Sequence, residues 1–253
     1  MRWNYFKPER PTDVEKIRDE LSISPVLAEL LVKRGIDSFE KAREYFRPSI
    51  DSLHDPFLMA DMETACERLV QAVQKEEQIL IYGDYDVDGT TSVAMFYSFL
   101  QSFYQNCTYY IPDRYKEGYG VSTQAIEWAA NNNIDLIITL DCGIKSHEHV
   151  DRAHTLGIDF IICDHHTPSA ELPKAIAVLD PKRKDCPYPF KELSGCGVGF
   201  KFPMFEANNS TAQCTNPETI LAALKKCKNF VVFYLRCVPI VESSEPYTVK
   251  TGK

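Results

Sequence analysis

The stretch Ile79-Leu80-Ile81-Tyr82-Gly83-Asp84-Tyr85-Asp86-Val87-Asp88-Gly89-Thr90-Thr91 constrains the fold more than any other. An apolar run stops at three carboxylates two residues apart. A glycine and two hydroxyl residues then open an apolar-periodic segment. The pattern reads as a buried strand, a tight acidic loop and the start of a helix. Alternate residues of an extended loop point the same way, so Asp84, Asp86 and Asp88 converge on one small volume. A hard cation such as Mg²⁺ or Mn²⁺ offsets the repulsion in such a cluster. An isolated Asp-x-Asp-x-Asp is more often an acidic surface turn. A calcium loop is disfavoured, because Met95 stands where its twelfth-position Glu belongs.

From Gln78 onward short apolar strands alternate with helices. Strands are expected at Gln78–Tyr82, Cys107–Ile111, Ile134–Leu140, Ile158–Cys163 and Ala175–Leu179. Helices are expected at Thr90–Tyr104, Ser122–Asn131 and Ser146–Leu156, the last closed by Gly157. This alternation predicts an α/β fold with a mainly parallel, doubly wound sheet. Ligands collect at the carboxyl ends of such strands, and there lie the acidic loop, Asp141-Cys142-Gly143 and Asp164-His165-His166.

The residues before this pattern read as a small helical segment. Thr12-x-x-Glu15 suggests a capping box, Ser24-Pro25 a helix start, Gly35 a terminator, and Ser38 the start of a helix that stops before Pro48. Asp61 is expected to cap a helix that continues through Val73. After Leu179 come a basic loop, Lys182-Arg183-Lys184, and a glycine-rich turn from Ser194 to Gly199. A helix from Asn216 to Lys226, a strand at Phe230–Leu235 and a polar tail complete the expectations. The chain thus divides into a helical segment over 1–58, an α/β domain over 59–201 and a C-terminal tail over 202–253.

Composition narrows the class. Hydrophobic residues make up 44% and charged ones 25%, which suits a globular protein. The net charge of −8 argues against a chain that simply coats nucleic acid, though a nuclease with bound cations is compatible with it. Nine cysteines without a Cys-x-x-Cys pair lack zinc-site spacing and fit reduced thiols in the cytoplasm. No apolar run reaches membrane-spanning length.

Asp141 alone is an ordinary strand-tip aspartate, but Asp164-His165-His166 beside other acidic tips is not ordinary. Carboxylates with imidazole suit Mn²⁺, with zinc a further option. Enough ligands for two ions would give the two-metal arrangement of phosphoester hydrolysis. A histidine not needed as a ligand would donate to a phosphate oxygen or leaving group. His54, His147, His149 and His154 are given structural or solvated roles, and Cys142 and Cys163 buried ones. The glycine-rich turn offers backbone N–H groups to phosphate or serves packing.

With these motifs in hand, the chain resembles the DHH phosphoesterases, named for the triad that appears here as Asp164-His165-His166. Within them it is similar to single-strand-specific 5′→3′ DNA exonucleases of repair and recombination. That similarity runs over residues 1–201, through the Trp3-bearing preface, Tyr82–Gly89, Leu140–Ile144 and Cys163–His166. Ile111–Arg114, Glu117–Gly120, Leu179–Arg183 and Leu193–Val198 extend it. The resemblance implies that Asp84, Asp86, Asp88, Asp141 and His165 hold two Mn²⁺ or Mg²⁺ ions, with Asp141 as bridge. Asp164 and His166 would support the site and engage phosphate as catalytic residues. Arg114, Lys116 and Tyr119 would contact single-stranded DNA, and from their own residue types Arg183 of the basic loop and Gly195 and Gly197 of the glycine-rich turn are expected beside them at the substrate. The family further implies a single-strand-binding protein and a helicase as partners. Its later aspartate motif and OB-fold are not recognisable after Lys201, so the chain is expected to be an incomplete copy, with the Ala175–Leu179 strand an open sheet edge. A DHH hydrolase of oligoribonucleotides, cyclic dinucleotides or pyrophosphate, and an inactive metal- or DNA-binding remnant, are the alternatives.

Overall fold

A computed structural model describes residues 10–47 and 53–202. Trp3, the expected helix from Asn216, the strand at Phe230–Leu235 and the polar tail lie outside these residues. The chain divides into two compact units between Leu53 and His54. No helix among the described residues is long and apolar enough to cross a membrane.

In the first unit, α1 (Pro11–Leu21), α2 (Pro25–Lys33) and α3 (Phe39–Phe46) enclose a small core of Ile17, Ala28, Leu31, Ile36 and Ala42. Ser24 and Ser38 cap α2 and α3 by accepting from the Leu27 and Lys41 N–H groups. Gly35, at φ +78°, lets the Ile36 N–H close α2 onto the Leu31 carbonyl. The expected capping box at Thr12 is not made. Pro11 already occupies the first helical position, which places Thr12 inside the helix.

The second unit contains the sheet. Its strands are β1 (Ile79–Gly83), β2 (Cys107–Tyr110), β3 (Leu136–Leu140), β4 (Asp159–Cys163) and β5 (Ala177–Leu179). All pair in parallel in the order β2-β1-β3-β4-β5. Alternation of side chains along each strand builds two cores. On one face, Ile79, Ile81, Leu136, Ile138 and Ile161 pack against α4 (Met62–Gln74), α5 (Val87–Gln101) and α8 (Gly195–Lys201). On the other, Leu80, Ile137, Phe160 and Ile162 meet α6 (Thr123–Asn131) and α7 (His147–Thr155). The sheet is therefore doubly wound, as the sequence predicts.

The strand order changes direction between β1 and β3, and α5 and α7, which follow these strands, lie on opposite faces. This topological switch point leaves a crevice at the carboxyl ends of the strands. The start of α5 lies three residues earlier than expected. It begins at Val87 instead of Thr90, because Asp86 caps it by accepting from the Gly89 N–H at 2.9 Å.

The edge at β5 is not left open. On its outer side the Val178 N–H donates to the Asp61 carboxylate at 3.1 Å, and the Val178 carbonyl accepts from Arg183. Asp61 and Arg183 also pair with each other, and Asp185 holds the rest of the guanidinium. Two side chains thus satisfy the edge that another strand would otherwise seek. Asp61 precedes α4 as expected, but its carboxylate serves the sheet and not the helix N-terminus. Arg183, expected at the substrate, is only 7% exposed and fully engaged in this clamp. Its charge is spent on two aspartates. Replacing it by Met, Arg183→Met, strands the Val178 carbonyl and is expected to cost on the order of 1–3 kcal/mol. Denaturant unfolding should show that loss while divalent-metal binding stays unchanged.

Candidate metal centre

The register aligns the ends of four strands. Gly83, Leu140, Cys163 and Leu179 stand side by side across β1, β3, β4 and β5. The next residue on each is an aspartate, so Asp84, Asp141, Asp164 and Asp180 form one row, and all four are buried. Asp164 is satisfied. One oxygen accepts from the His165 and His166 N–H groups and from His166 Nδ1 at 2.7, 3.1 and 2.7 Å, and the other from the Ile144 N–H at 2.9 Å. These bonds hold its carboxyl below the usual range even though burial opposes them. Asp164 is thus a support for the two histidines. Sealed from solvent and saturated with donors, it does not face a phosphate, contrary to that half of the expectation.

Asp84 and Asp141 differ. Each has a buried Oδ1 with no hydrogen-bond partner. Asp141 adopts φ +63°, a left-handed conformation rare for a residue with a side chain. Its Oδ1 lies 3.0 Å from His165 Nε2 without forming a hydrogen bond, and Asp88 Oδ2 lies 3.8 Å from the same nitrogen. Burial, then Asp88 and Asp86, push the Asp141 carboxyl up to about 8. Burial also raises Asp84. One ligand atom each from Asp141, His165 and His166 lies within a 4.8 Å cluster. Bare buried carboxylate oxygens beside an imidazole nitrogen are the donor set that a Mn²⁺-class ion requires, so the residues fit such a group.

The three acidic-loop carboxylates do not converge by extended alternation. Asp86 is the exposed N-cap of α5, and Asp88 sits in its first turn. Asp88 is fixed from across the crevice: the Gly195 and Cys196 N–H groups donate to its two oxygens at 2.7 and 2.6 Å. This corrects the reading of the glycine-rich turn. The Gly195 N–H is committed to Asp88 and the Gly197 N–H to Ser194 Oγ at 3.0 Å, so neither is free for phosphate. Glycine at 195 serves close approach, since a Cβ there would fall 2.2 Å from Asp141 Oδ1. Gly89 does the same against the Asp84 carbonyl at 2.4 Å.

On the open side, the loop after β2 brings Tyr119 to the histidines. Its hydroxyl lies 3.0 Å from His166 Nε2. Arg114 is exposed, with its guanidinium 5.3 Å from the centre of the Tyr85 ring, and Lys116 is exposed beside Asp113 at 3.9 Å. The sequence reading missed Tyr85 as a platform for Arg114. It also missed Asp180, although Ala177–Leu179 ends in Asp as the other three central strands do.

Residues 78–224 match the N-terminal domain of the DHH family, more than half of the chain. The chain belongs to the DHH family. It is 44% identical over 201 residues to the single-stranded-DNA-specific exonuclease RecJ of Bacillus subtilis (strain 168), covering 79% of this chain and 25% of that protein. With RecJ of Escherichia coli (strain K12) it shares 36% over 193 residues, 76% of this chain and 33% of the other. The chain therefore spans a quarter to a third of the length of these relatives. A crystal structure of exonuclease RecJ bound to manganese aligns with TM-score 0.52 at 31% identity, over 57% of this chain and 36% of that one. RecJ in complex with Mn²⁺ from Thermus thermophilus matches the fold with TM-score 0.59 at 24% identity, over 79% and 28%.

Two outcomes follow from the geometry of this DHH site. Gly195→Ala drives a methyl group into Asp141, which its backbone and burial hold in place. Mn²⁺ affinity by titration calorimetry should fall at least about tenfold, the equivalent of ~1.4 kcal/mol. Gly197→Ala, whose nearest neighbour is the Leu193 side chain at 3.3 Å, should change it little. The second outcome concerns Asp180. Oδ1 accepts from the Lys182 N–H, Oδ2 has no partner, and burial raises the carboxyl to about 6. A carboxyl raised on folding stabilises the fold at low pH and loses that contribution as pH climbs from about 4 through 6. Asp180→Asn keeps the acceptor and removes the charge. Melting of the metal-free protein should show the variant gaining on the native chain at pH 8, with the gap narrowing below pH 5.

Proposed function

We propose that the DHH domain is a metal-dependent phosphodiesterase that removes nucleotides from the 5′ end of single-stranded DNA. Two buried, unpartnered carboxylate oxygens on adjacent strands, with His165 Nε2 3.0 Å from one of them, carry the reading. The identity to RecJ exonucleases and the manganese in a related crystal structure support it. Asp84, Asp86, Asp88, Asp141 and His165 would hold two Mn²⁺ or Mg²⁺ ions. Asp141, whose strand lies between β1 and β4, would be shared by both ions; that central position supports the reading. Bound ions would activate an attacking water and neutralise charge on the phosphate.

The chain's own groups do the rest. Two backbone N–H groups hold Asp88 aimed at the crevice. Asp164 orients both histidines through their backbone N–H groups and His166 Nδ1. Held this way, His166 presents Nε2 on the open side, where it can hand a proton to a phosphate or leaving oxygen. Its pKa is raised, first by its bond to Asp164, which keeps it protonatable near neutral pH. The exposed Arg114 and Lys116 attract the phosphate chain, and Tyr85 and Tyr119 offer ring faces to bases. Residues 59–201 form the catalytic domain in this scheme, with 1–58 a helical appendage. Repair and recombination in the cytoplasm, alongside a single-strand-binding protein and a helicase, is the setting inferred from the relatives.

The test is digestion of long 5′-labelled single strands against dinucleotides by the full chain. Activity should vanish in chelator and return best with Mn²⁺, and full activity in excess chelator would overturn the scheme. Asp141→Ala should lose metal and turnover together. His166→Ala should keep its metal and lose roughly 10²–10⁴-fold in kcat. Equal metal loss in the two variants would make His166 a ligand. Preference for dinucleotides would move the domain to another branch of the family.

A further inference from the structure

His165 and His166 are adjacent, their ring centres lie 4.5 Å apart, and both reach the cluster around Asp141. Something must decide which of them a cation takes. Both Asp164 oxygens accept backbone N–H groups, so the carboxylate is an acceptor and the His166 nitrogen bonded to it, Nδ1, carries the proton. In the neutral ring Nε2 is then a bare lone pair and the one atom through which His166 can ligate. That lone pair faces the Tyr119 hydroxyl at 3.0 Å. A phenol keeps its proton at ordinary pH, and with Nε2 unprotonated the Tyr119 hydroxyl is the donor of the pair. His165 has no such cover: its Nε2 lies 3.0 Å from Asp141 and 3.8 Å from Asp88.

The loop that carries Tyr119 is built to hold it there. Gly118 and Gly120, at φ +84° and +80°, flank it in the left-handed region, and a Cβ at either would meet nothing. Both are therefore required by conformation and not by space. The Tyr82 hydroxyl donates to the Gly120 carbonyl at 2.7 Å. Glu117 anchors the other side by accepting from the Asp113 N–H, the Tyr110 hydroxyl and Ser122 Oγ.

We propose that Tyr119 is a positioning residue that masks His166 Nε2 from the cation while the ring is neutral, so that His165 alone ligates and His166 stays free to take up a proton at Nε2 and pass it to substrate. This rests on the metal reading above. Without the hydroxyl, the uncovered His166 Nε2 competes for the cation as a second imidazole ligand. Metal would be held more tightly while the proton donor is lost.

Tyr119→Phe tests this, since the ring is 61% exposed and the substitution keeps its contacts with Tyr85 and His166. Calorimetry with Mn²⁺ should show tightening of about tenfold in Tyr119→Phe and a return to the native value in Tyr119→Phe/His166→Gln. Turnover should fall through kcat more than through KM. In the metal-free protein, the ¹⁵N resonance of His166 Nε2 should move toward that of an unbonded lone pair while Nδ1 stays protonated. Unchanged or weakened Mn²⁺ binding in Tyr119→Phe, or an unmoved Nε2 resonance, overturns the proposal. If the native chain binds no Mn²⁺, the metal reading fails. The resonance then decides on its own whether Tyr119 occupies Nε2.

Discussion

Confining like charge is the constraint on which this structure turns. Four aspartates stand in a row at the ends of adjacent parallel strands, all buried, and a fifth, Asp88, faces them from α5. Buried carboxylates are tolerated when donors or cations answer them. Asp164 is answered by three backbone N–H groups and an imidazole, and Asp88 by two N–H groups of α8. Donors answer the carboxylates that orient, while Asp84, Asp141 and Asp180 each keep one oxygen bare.

That arrangement needs backbone to come closer to side chains than most residues permit. Gly89 sits against the Asp84 carbonyl and Gly195 against the Asp141 carboxylate, where a Cβ would overlap its neighbour in both cases. The glycine-rich turn is thus a clamp on the acidic residues, and the N–H groups it seemed to offer a phosphate are used inside the protein. The same economy of partners marks the sheet edge. Asp61 and Arg183 take up the outward N–H and carbonyl of Val178. A charge that a linear reading places at the substrate closes β5 against other strands instead.

The histidine pair shows how one local motif yields two different groups. Both histidines follow Asp164 and donate their backbone N–H groups to it, yet one imidazole faces Asp141 and Asp88 and the other faces Tyr119. In the proposed scheme their surroundings, not their identity, would separate ligand from proton donor. Tyr119 comes from a loop more than forty residues earlier, held by Tyr82 from β1 and Glu117 from its own base. Division of labour at the site therefore depends on elements on both sides of the switch point.

Much of this was legible in the residues themselves. Apolar runs ending in acidic tips, separated by helical periods, are local signals, and they determined the parallel sheet and the placing of Asp84, Asp141, His165 and His166 at the carboxyl ends of its strands. Serine caps at Ser24 and Ser38 and the glycine stop at Gly35 were equally local. What the residues left open were relations between segments far apart in the chain. The alternation argument treated Asp84 to Asp88 as extended loop, but Asp86 caps a helix that begins there, which turns Asp88 toward Gly195. Thr12 looked like a cap until Pro11 took the helix start. Asp180 carried the same strand-tip signal as its neighbours, and only the register placed it in their row. Whether Arg183, Gly195 and Gly197 face a ligand or the protein was decided by tertiary contacts. A charge or an N–H group binds the nearest partner that folding brings, and that partner is more than a hundred residues away for Arg183 and Gly195.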